Sequence, residues 1–366
     1  MQHLIDLQSL GWNEHFQNLF DEEIGRAETP SSRVPGRVAA EHRGFFVVYT
    51  EAGEVWAEIT GRLRRDAAGR MDLPAVGDWV VVNPQPGENR GVITTVLERR
   101  TKFSRKQAGQ ATDEQVLAAN VDHLFVVTAL TNELNPRRLE RYLTMAWEGA
   151  SSPVIILTKS DLCYDIPGSV AEVEKVALGV PVHVTSAISG QGLDEIAQYF
   201  RDHKTAALFG SSGVGKSSLI NRLCGEELQT VHETRSDDRG RHTTTRRELI
   251  VLPNGGSIID TPGMRELQLW SADEGIEEAF SDVAELASAC RFNDCLHGQE
   301  PGCAVRAAVD GGTLDEARLE SYSKLQRELR FLERKQDHRA QVLERRRWKA
   351  ISKANRESTK SRARQR

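Results

Sequence analysis

The sequence predicts a multi-domain chain: an N-terminal all-β, OB-like barrel, a central α/β domain on a parallel sheet, and a C-terminal helical module organised around a cysteine cluster. Three observations carry that expectation. Five short β-type runs lie between Val34 and Arg100; from about Val121 continuous apolar runs alternate with helical patterns; and three of the five cysteines fall within 14 residues, Cys290 to Cys303. The length agrees, since 366 residues exceed what one core of ordinary size organises.

The barrel rests on GRVAA, GFFVVYT, EVWAEITGRL, DWVVV and GVITTVLER, punctuated by Ala52-Gly53, Asp66 to Gly69 and Pro84 to Gly87. Short strands at this spacing form a small closed or partly closed barrel. An OB-fold is the first choice and an SH3-like barrel the second. Arg62, Arg64, Arg65 and Arg70, then Arg99, Arg100, Lys102, Arg105 and Lys106, are either an electrostatic track for phosphates or ordinary solvated charge.

In the central region, DHLFVVTAL and PVIILTKSDL flank a helical stretch that Asn135 can cap. Pro136 stands at its first position, and Leu139, Leu143, Ala146 and Trp147 fall on one face. The runs VPVHVTSA, AALFGSSG, RELIVL and GSIIDTPG follow, and apolar strands alternating with helices indicate a parallel sheet covered on both faces. After about Ser271 the pattern is helical. The expected division is an extension at 1–33, the barrel at 34–105, the α/β domain at 106–270, the cysteine-bearing helical module at 271–348, and a basic tail at 349–366, low in apolar residues and expected to be disordered when unbound. Isolated Cys163 and Cys224 read as small core residues.

Composition excludes whole classes. Hydrophobic residues make up 39% and charged residues 28%, enough to bury a core and too apolar for wholesale disorder. No apolar run approaches the roughly 18 residues of a membrane span. The start, MQHLIDLQSLGWNEHF, lacks the pattern of a secretory signal, so a cytoplasmic protein is expected. The net charge of −5 conceals an asymmetry: from Lys324 to Arg366 there are 16 Lys and Arg against 5 Asp and Glu, or +11, leaving −16 for residues 1–323. A basic end on an acidic body is either a nucleic-acid-facing extension or a solvated helical tail.

Gly210 to Ser217 reads GSSGVGKS, matching G-x-x-x-x-G-K-[ST] directly after the apolar run AALF. Backbone N–H groups of Gly210, Ser211, Ser212, Gly213, Val214 and Gly215 can wrap a β-phosphate. Lys216 reaches the β- and γ-phosphates, the Ser217 hydroxyl can ligate Mg²⁺, and Ser218 continues into a helix whose positive end faces the anion. Asp260-Thr261-Pro262-Gly263 ends the run GSII; there Asp260 can hold Mg²⁺ through water and Gly263 can donate its N–H to a γ-phosphate. The loop RGRHTTT, 239–245, offers switch hydroxyls, with Thr244 or Thr245 favoured as the Mg²⁺ ligand.

Upstream, Thr158-Lys159-Ser160-Asp161 resembles the N-K-x-D signature of GTPases. The Asp161 carboxylate accepts paired hydrogen bonds from guanine N1 and N2, which adenine cannot offer, and the Lys159 stem lies along the base. Thr158 departs from the signature, because a hydroxyl cannot reproduce both the donor and acceptor functions of an Asn amide. Thr185-Ser186-Ala187 matches the loop whose backbone N–H faces guanine O6. A P-loop kinase or ATPase is disfavoured by this set of motifs.

In ordinary GTPases the phosphate loop comes first and the base-reading motifs last; here 158–161 and 185–187 precede 210. With GSSGVGKS, GRHTTT, DTPG, TKSD and TSA in this rotated order, between a barrel and a cysteine-rich module, the chain over about residues 34–350 resembles the circularly permuted ribosome small subunit-dependent GTPase A family. The resemblance implies an N-terminal OB-fold, a zinc-binding C-terminal module, and a GTP-hydrolysing factor in late maturation of the small ribosomal subunit, whose GTPase that subunit stimulates. The partners expected are the small subunit with its rRNA and GTP or GDP, with no membrane, and the chain is expected to act as a monomer. A different class is an RNA-binding guanine-nucleotide switch in which hydrolysis is incidental.

Met264 follows DTPG where many GTPases place a water-orienting Gln, and a thioether cannot do that work, so intrinsic hydrolysis should be slow. His242, in the RGRHTTT loop, is a candidate catalytic group; packing or phosphate contact is the competing role. Cys290, Cys295, His297 and Cys303 supply three thiolates and one imidazole, a donor set suited to one tetrahedral, structural Zn²⁺ with no open position. Inert or redox thiols are the alternative.

Overall fold

The structure, a computed structural model, describes residues 4–26, 32–106, 114–131, 134–225, 247–261, 273–298 and 300–331. Five strands build the N-terminal unit: β1 (Val34–Glu41), β2 (Phe46–Thr50), β3 (Gly53–Ile59), β4 (Trp79–Pro84) and β5 (Arg90–Val96). They close in the order β1-β2-β3-β5-β4, with β4 returning to pair with β1 and β3 running parallel to β5. That circuit is the OB topology, so the first choice holds over the SH3-like alternative. Alternate residues Val38, Val48, Val55, Ala57, Val80, Val82 and Ile93 fill the interior, as period-2 patterning requires.

Helix α1 (Glu14–Gly25), capped by the Asn13 side chain, packs Phe16 against Trp79 of the barrel. Helix α2 (Gly61–Asp66) follows β3, with the Thr60 hydroxyl accepting from Leu63 N–H. Among the residues of the proposed basic track, Arg99 is taken out of it: its guanidinium is bound to buried Asp78 at 2.7 Å and donates to the Leu73 carbonyl at 2.9 Å. Arg62 and Lys102 face Asp66 and Glu114.

A two-stranded ribbon, β6 (Lys102–Lys106) and β7 (Glu114–Ala119), leads into the main sheet. There β8 (His123–Ala129), β9 (Ser152–Thr158), β10 (Val182–Val184), β11 (Thr205–Phe209), β12 (Glu248–Val251) and β13 (Ser257–Asp260) stand in the order β10-β9-β8-β11-β13-β12. All pairs are parallel except β12 with β13. Ala40↔Glu248 joins the sheet to β1 of the barrel. Crossovers carry α3 (Pro136–Glu148), α4 (Ile166–Glu174), α5 (Leu193–Ala197) and α6 (Lys216–Cys224). The Asn135 side chain caps α3 as expected, and Leu139, Leu143 and Ala146 are buried with Trp147 half-buried.

Buried Arg37 ties three regions together. It donates to carbonyls of Leu10 in the N-terminal extension, Gly77 in the barrel and Asn120 at the start of the α/β unit. Burial lowers its pKa to about 10, opposed by the nearby Asp122 and Asp78 carboxylates. It keeps its proton at neutral pH, and the three acceptors share one cation.

The C-terminal module contains α7 (Asp273–Ala279), α8 (Ser281–Ser288), α9 (Ala304–Asp310) and α10 (residues 316–331). Phe280, Val283, Val305, Leu319 and Leu325 share one core with Leu139, Tyr142 and Leu143 of α3. Gly275 lets α7 approach α3, since a Cβ there would lie 2.3 Å from the Thr144 carbonyl oxygen. The basic tail at 349–366 lies outside the described residues. Among the described residues no helix is long and apolar enough to cross a membrane.

Candidate functional site

Parallel strands β8, β9, β10, β11 and β13 end on one edge of the sheet, where an open α/β sheet places its ligand crevice. The loop after β11 is the GSSGVGKS segment, and two of its glycines are required by geometry. A Cβ on Gly210 would lie 2.3 Å from the Val127 carbonyl oxygen, and Gly215 adopts φ +101°, a left-handed conformation, just before α6 begins at Lys216. The chain therefore turns tightly enough to aim successive N–H groups inward and start a helix at once. Ser211, Ser212, Ser217 and Ser218 are half-buried, Gly213 is exposed, and Val214 is anchored in the core.

Lys216 folds back over this loop, its ammonium donating to the Gly210 and Ser211 carbonyls at 2.8 Å each. Burial pushes its pKa below the ordinary lysine value, and the Asp260 carboxylate pulls the other way. Asp260 ends β13 in register with Leu208, and the next residue, Thr261, donates its hydroxyl to the Leu208 carbonyl at 2.6 Å. A buried carboxylate and a half-buried hydroxyl at Ser217 are hard oxygen donors of the kind Mg²⁺ takes.

The TKSD segment stands beside this loop. Thr158 is buried at the end of β9, its hydroxyl donating to the Val214 carbonyl of the phosphate loop, with the Thr128 carbonyl at 3.2 Å. The donor half of the missing amide is thus supplied. Lys159 turns left-handed at φ +59°, so the chain leaves the strand sharply and presents Asp161 at the crevice edge. The Ser186 hydroxyl donates to Asp161 Oδ1 at 2.5 Å, and Ser160 donates to the Gln191 side chain at 2.9 Å. The two candidate base-reading segments, joined by residues 25 apart in sequence, are one bonded unit.

The four residues of the cysteine cluster also converge. Sγ of Cys290, Cys295 and Cys303 and a ring nitrogen of His297 all lie within 4.8 Å of one another. The Cys290–Cys303 separation is 3.9 Å, and His297 Nδ1 is 3.7 Å from Cys290 and 3.6 Å from Cys303. A tetrahedron with roughly 2.3 Å metal–sulfur and 2.0 Å metal–nitrogen bonds has edges of about 3.5–3.8 Å, so the residues fit Zn²⁺. Glu300 braces the ligand loop, accepting from Leu296 N–H at 3.1 Å and Gly298 N–H at 2.7 Å.

The structure brings the 158–161, 185–187 and 210–217 segments to one sheet edge, and it adds supports that the sequence does not show. Arg138 on α3 donates to the Ser211 hydroxyl at 2.5 Å, Gln191 receives Ser160, and Arg222 on α6 donates to the Ala187 and Ile188 carbonyls. Their partners are 31 to 73 residues away, beyond the reach of local spacing. His242, Thr244, Thr245, Gly263 and Met264 lie outside the described residues.

Comparison with known proteins gives the same picture. The RsgA GTPase family model matches residues 96–270, and a model described as 50S ribosome-binding GTPase matches 205–347. The small ribosomal subunit biogenesis GTPase RsgA of Opitutus terrae is 47% identical over 360 residues, covering 96% of this chain and 97% of the relative. The protein of that name from Streptomyces coelicolor is 43% identical, covering 95% and 94%. Among solved structures, YjeQ from Thermotoga maritima is similar at a TM-score of 0.60 and 29% identity, covering 81% of this chain and 98% of that one. YloQ, described as a circularly permuted GTPase, is similar at 0.59 and 26%, covering 83% and 98%.

Proposed function

The chain belongs to the RsgA GTPase family, and on that premise we propose that it hydrolyses GTP in late maturation of the small ribosomal subunit, which both binds it and stimulates its turnover. It is a GTPase of ribosome biogenesis. The small-subunit part of this reading is supported by the names of the relatives, and the guanine-nucleotide part by the bonded unit at the sheet edge: Asp161 held by Ser186, and Thr158 held to the phosphate loop.

In this reading Asp161 accepts from guanine N1 and N2, the Ala187 N–H faces O6, and the Lys159 stem covers the base. The loop 210–215 and Lys216 take the β- and γ-phosphates, so the ammonium exchanges two carbonyl partners for phosphate oxygens. Ser217 and Asp260, with a switch threonine at 244 or 245, would hold Mg²⁺, which neutralises charge on the phosphate oxygens. Gly263 donates to the γ-phosphate and His242 helps position water; both assignments rest on sequence. Cys290, Cys295, His297 and Cys303 would hold Zn²⁺ and keep the C-terminal module folded. The chain acts as a cytoplasmic monomer, engaging rRNA through the barrel and the C-terminal module.

Base exchange tests the guanine site. Asp161→Asn should weaken GTP and favour xanthosine triphosphate, whose 2-oxo group accepts from an amide. ATP competing as well as GTP against the wild-type chain would overturn the assignment.

A further inference from the structure

The loop 186–191 has its hydrogen bonds almost completely accounted for. Ser186 N–H donates to the Gln191 carbonyl at 3.1 Å, and Gly190 N–H to the Ser186 carbonyl at 2.9 Å. Ile188 N–H and Ser189 N–H both donate to the Ser186 hydroxyl oxygen, at 3.2 and 3.3 Å, and Gln191 N–H approaches Ser189 Oγ at 3.4 Å. Among the described residues, Ala187 N–H is the one backbone donor of this loop with no protein acceptor.

The peptide planes on either side of that donor are pinned. The Ser186–Ala187 plane is held through its carbonyl by Gly190. The next two planes are held at both ends: their N–H groups by Ser186, and their carbonyls by Arg222, whose Nε donates to Ala187 O at 2.6 Å and Nη2 to Ile188 O at 3.0 Å. A planar guanidinium grips two successive carbonyls where a single ammonium could not match both. Arg222 stands in the last turn of α6, the helix that opens with Lys216 and Ser217.

We propose that Arg222 is a positioning residue for base choice, fixing the direction of the Ala187 N–H toward guanine O6 and joining the base-reading loop to the helix that begins at the phosphates. The inference rests on the guanine-site reading above and deepens it. Arg222 acts at one remove: it holds the two peptide planes that follow the one bearing the Ala187 N–H, so that the donor's own plane, bound at its carbonyl by Gly190, is flanked by a fixed chain. A donor already aimed spends no ordering entropy when the base arrives, and a loosened one does.

The test uses the full chain and three probes: GDP, its 6-thio analogue, in which sulfur is a weaker acceptor than O6, and ADP. Wild type should prefer GDP over both. Arg222→Ala should raise the Kd for GDP roughly tenfold, the worth of a hydrogen bond or two, and that for 6-thio-GDP much less, so their ratio falls toward one. Arg222→Lys, with one cationic head, should fall between. Thermal melting of each variant without nucleotide should stay close to wild type, since the side chain is on the surface. An unchanged GDP to 6-thio-GDP ratio in Arg222→Ala, whether affinity falls equally for both or not at all, would overturn the role of Arg222 and leave the guanine site standing. A wild-type chain that does not distinguish GDP from ADP would overturn the guanine reading and this inference with it.

Discussion

Thr158 illustrates how one side chain can depart from a motif and keep part of its work. Its hydroxyl bonds the Val214 carbonyl of the phosphate loop, so the base-reading strand and the phosphate loop remain joined although the amide is gone. Thr158→Val keeps the shape and removes the donor, leaving buried carbonyls unsatisfied. It should cost about 1–3 kcal/mol of stability, read as a lowered urea midpoint, and weaken GTP severalfold. A variant as stable as wild type would show the bond to be dispensable. At this scale the glycines, Lys216 and Asp161 were legible as candidates because the G-x-x-x-x-G-K-[ST] and N-K-x-D patterns have fixed local spacing. Arg138, Gln191 and Arg222 were not, since each looks like ordinary surface chemistry until a distant segment folds against it.

Among the elements, α3 is joined to the C-terminal module by buried charge. Glu140 is fully buried in it, and one carboxylate oxygen accepts from Arg137 at 2.7 Å and from Arg318 of α10 at 3.1 Å. Arg318 also forms a two-point bond to Asp282 of α8, at 2.6 and 2.7 Å, and lies over the Phe280 ring. The next residue of α3 after Glu140, Arg141, bonds Glu328 of α10. The helix itself was legible from Asn135, Pro136 and the apolar stripe. Its charges were not, because Arg137, Glu140 and Arg141 read as a solvated face when the helix packed on top of them is unseen. Arg318→Ala leaves buried Glu140 with Arg137 as its one remaining cation among the described residues and Asp282 without its two-point partner, and should cost about 3–5 kcal/mol in denaturant unfolding, whereas Arg318→Met, which keeps the packed stem, should cost less. Equal costs would mean that charge alone, and not packing of the side-chain stem, holds the junction.

The cysteine-bearing loop between α8 and α9 makes a second claim at this scale. Elemental analysis should find about one zinc per chain, and removing it with a chelator should release the C-terminal module to protease while GDP affinity changes little. Absence of metal, or removal with no change in cleavage, would contradict the structural role.

For the whole molecule, the rotated motif order was readable in one dimension, since 158–161 and 185–187 precede 210–217 and all three meet at one sheet edge. The way the parts are joined was not. Arg37 binding carbonyls of the extension, the barrel and the α/β unit, and Arg318 binding two helices of different units, are contacts between surfaces that no periodicity announces. These joints have a mechanical consequence. A partner that grips the C-terminal module pulls on α3, and α3 touches the phosphate loop through Arg138 and Ser211. With Met264 in the position of a water-orienting Gln, hydrolysis by the free chain is expected to be slow, and a partner can supply what is missing.

The central claim is therefore tested most directly by multiple-turnover GTP hydrolysis with and without isolated small ribosomal subunits. The account predicts that small subunits raise turnover by at least about tenfold, as a partner completing a GTPase site does, with large subunits or free RNA giving much less. Turnover unchanged by small subunits, large subunits and RNA alike would contradict it and favour a guanine-nucleotide switch in which hydrolysis is incidental.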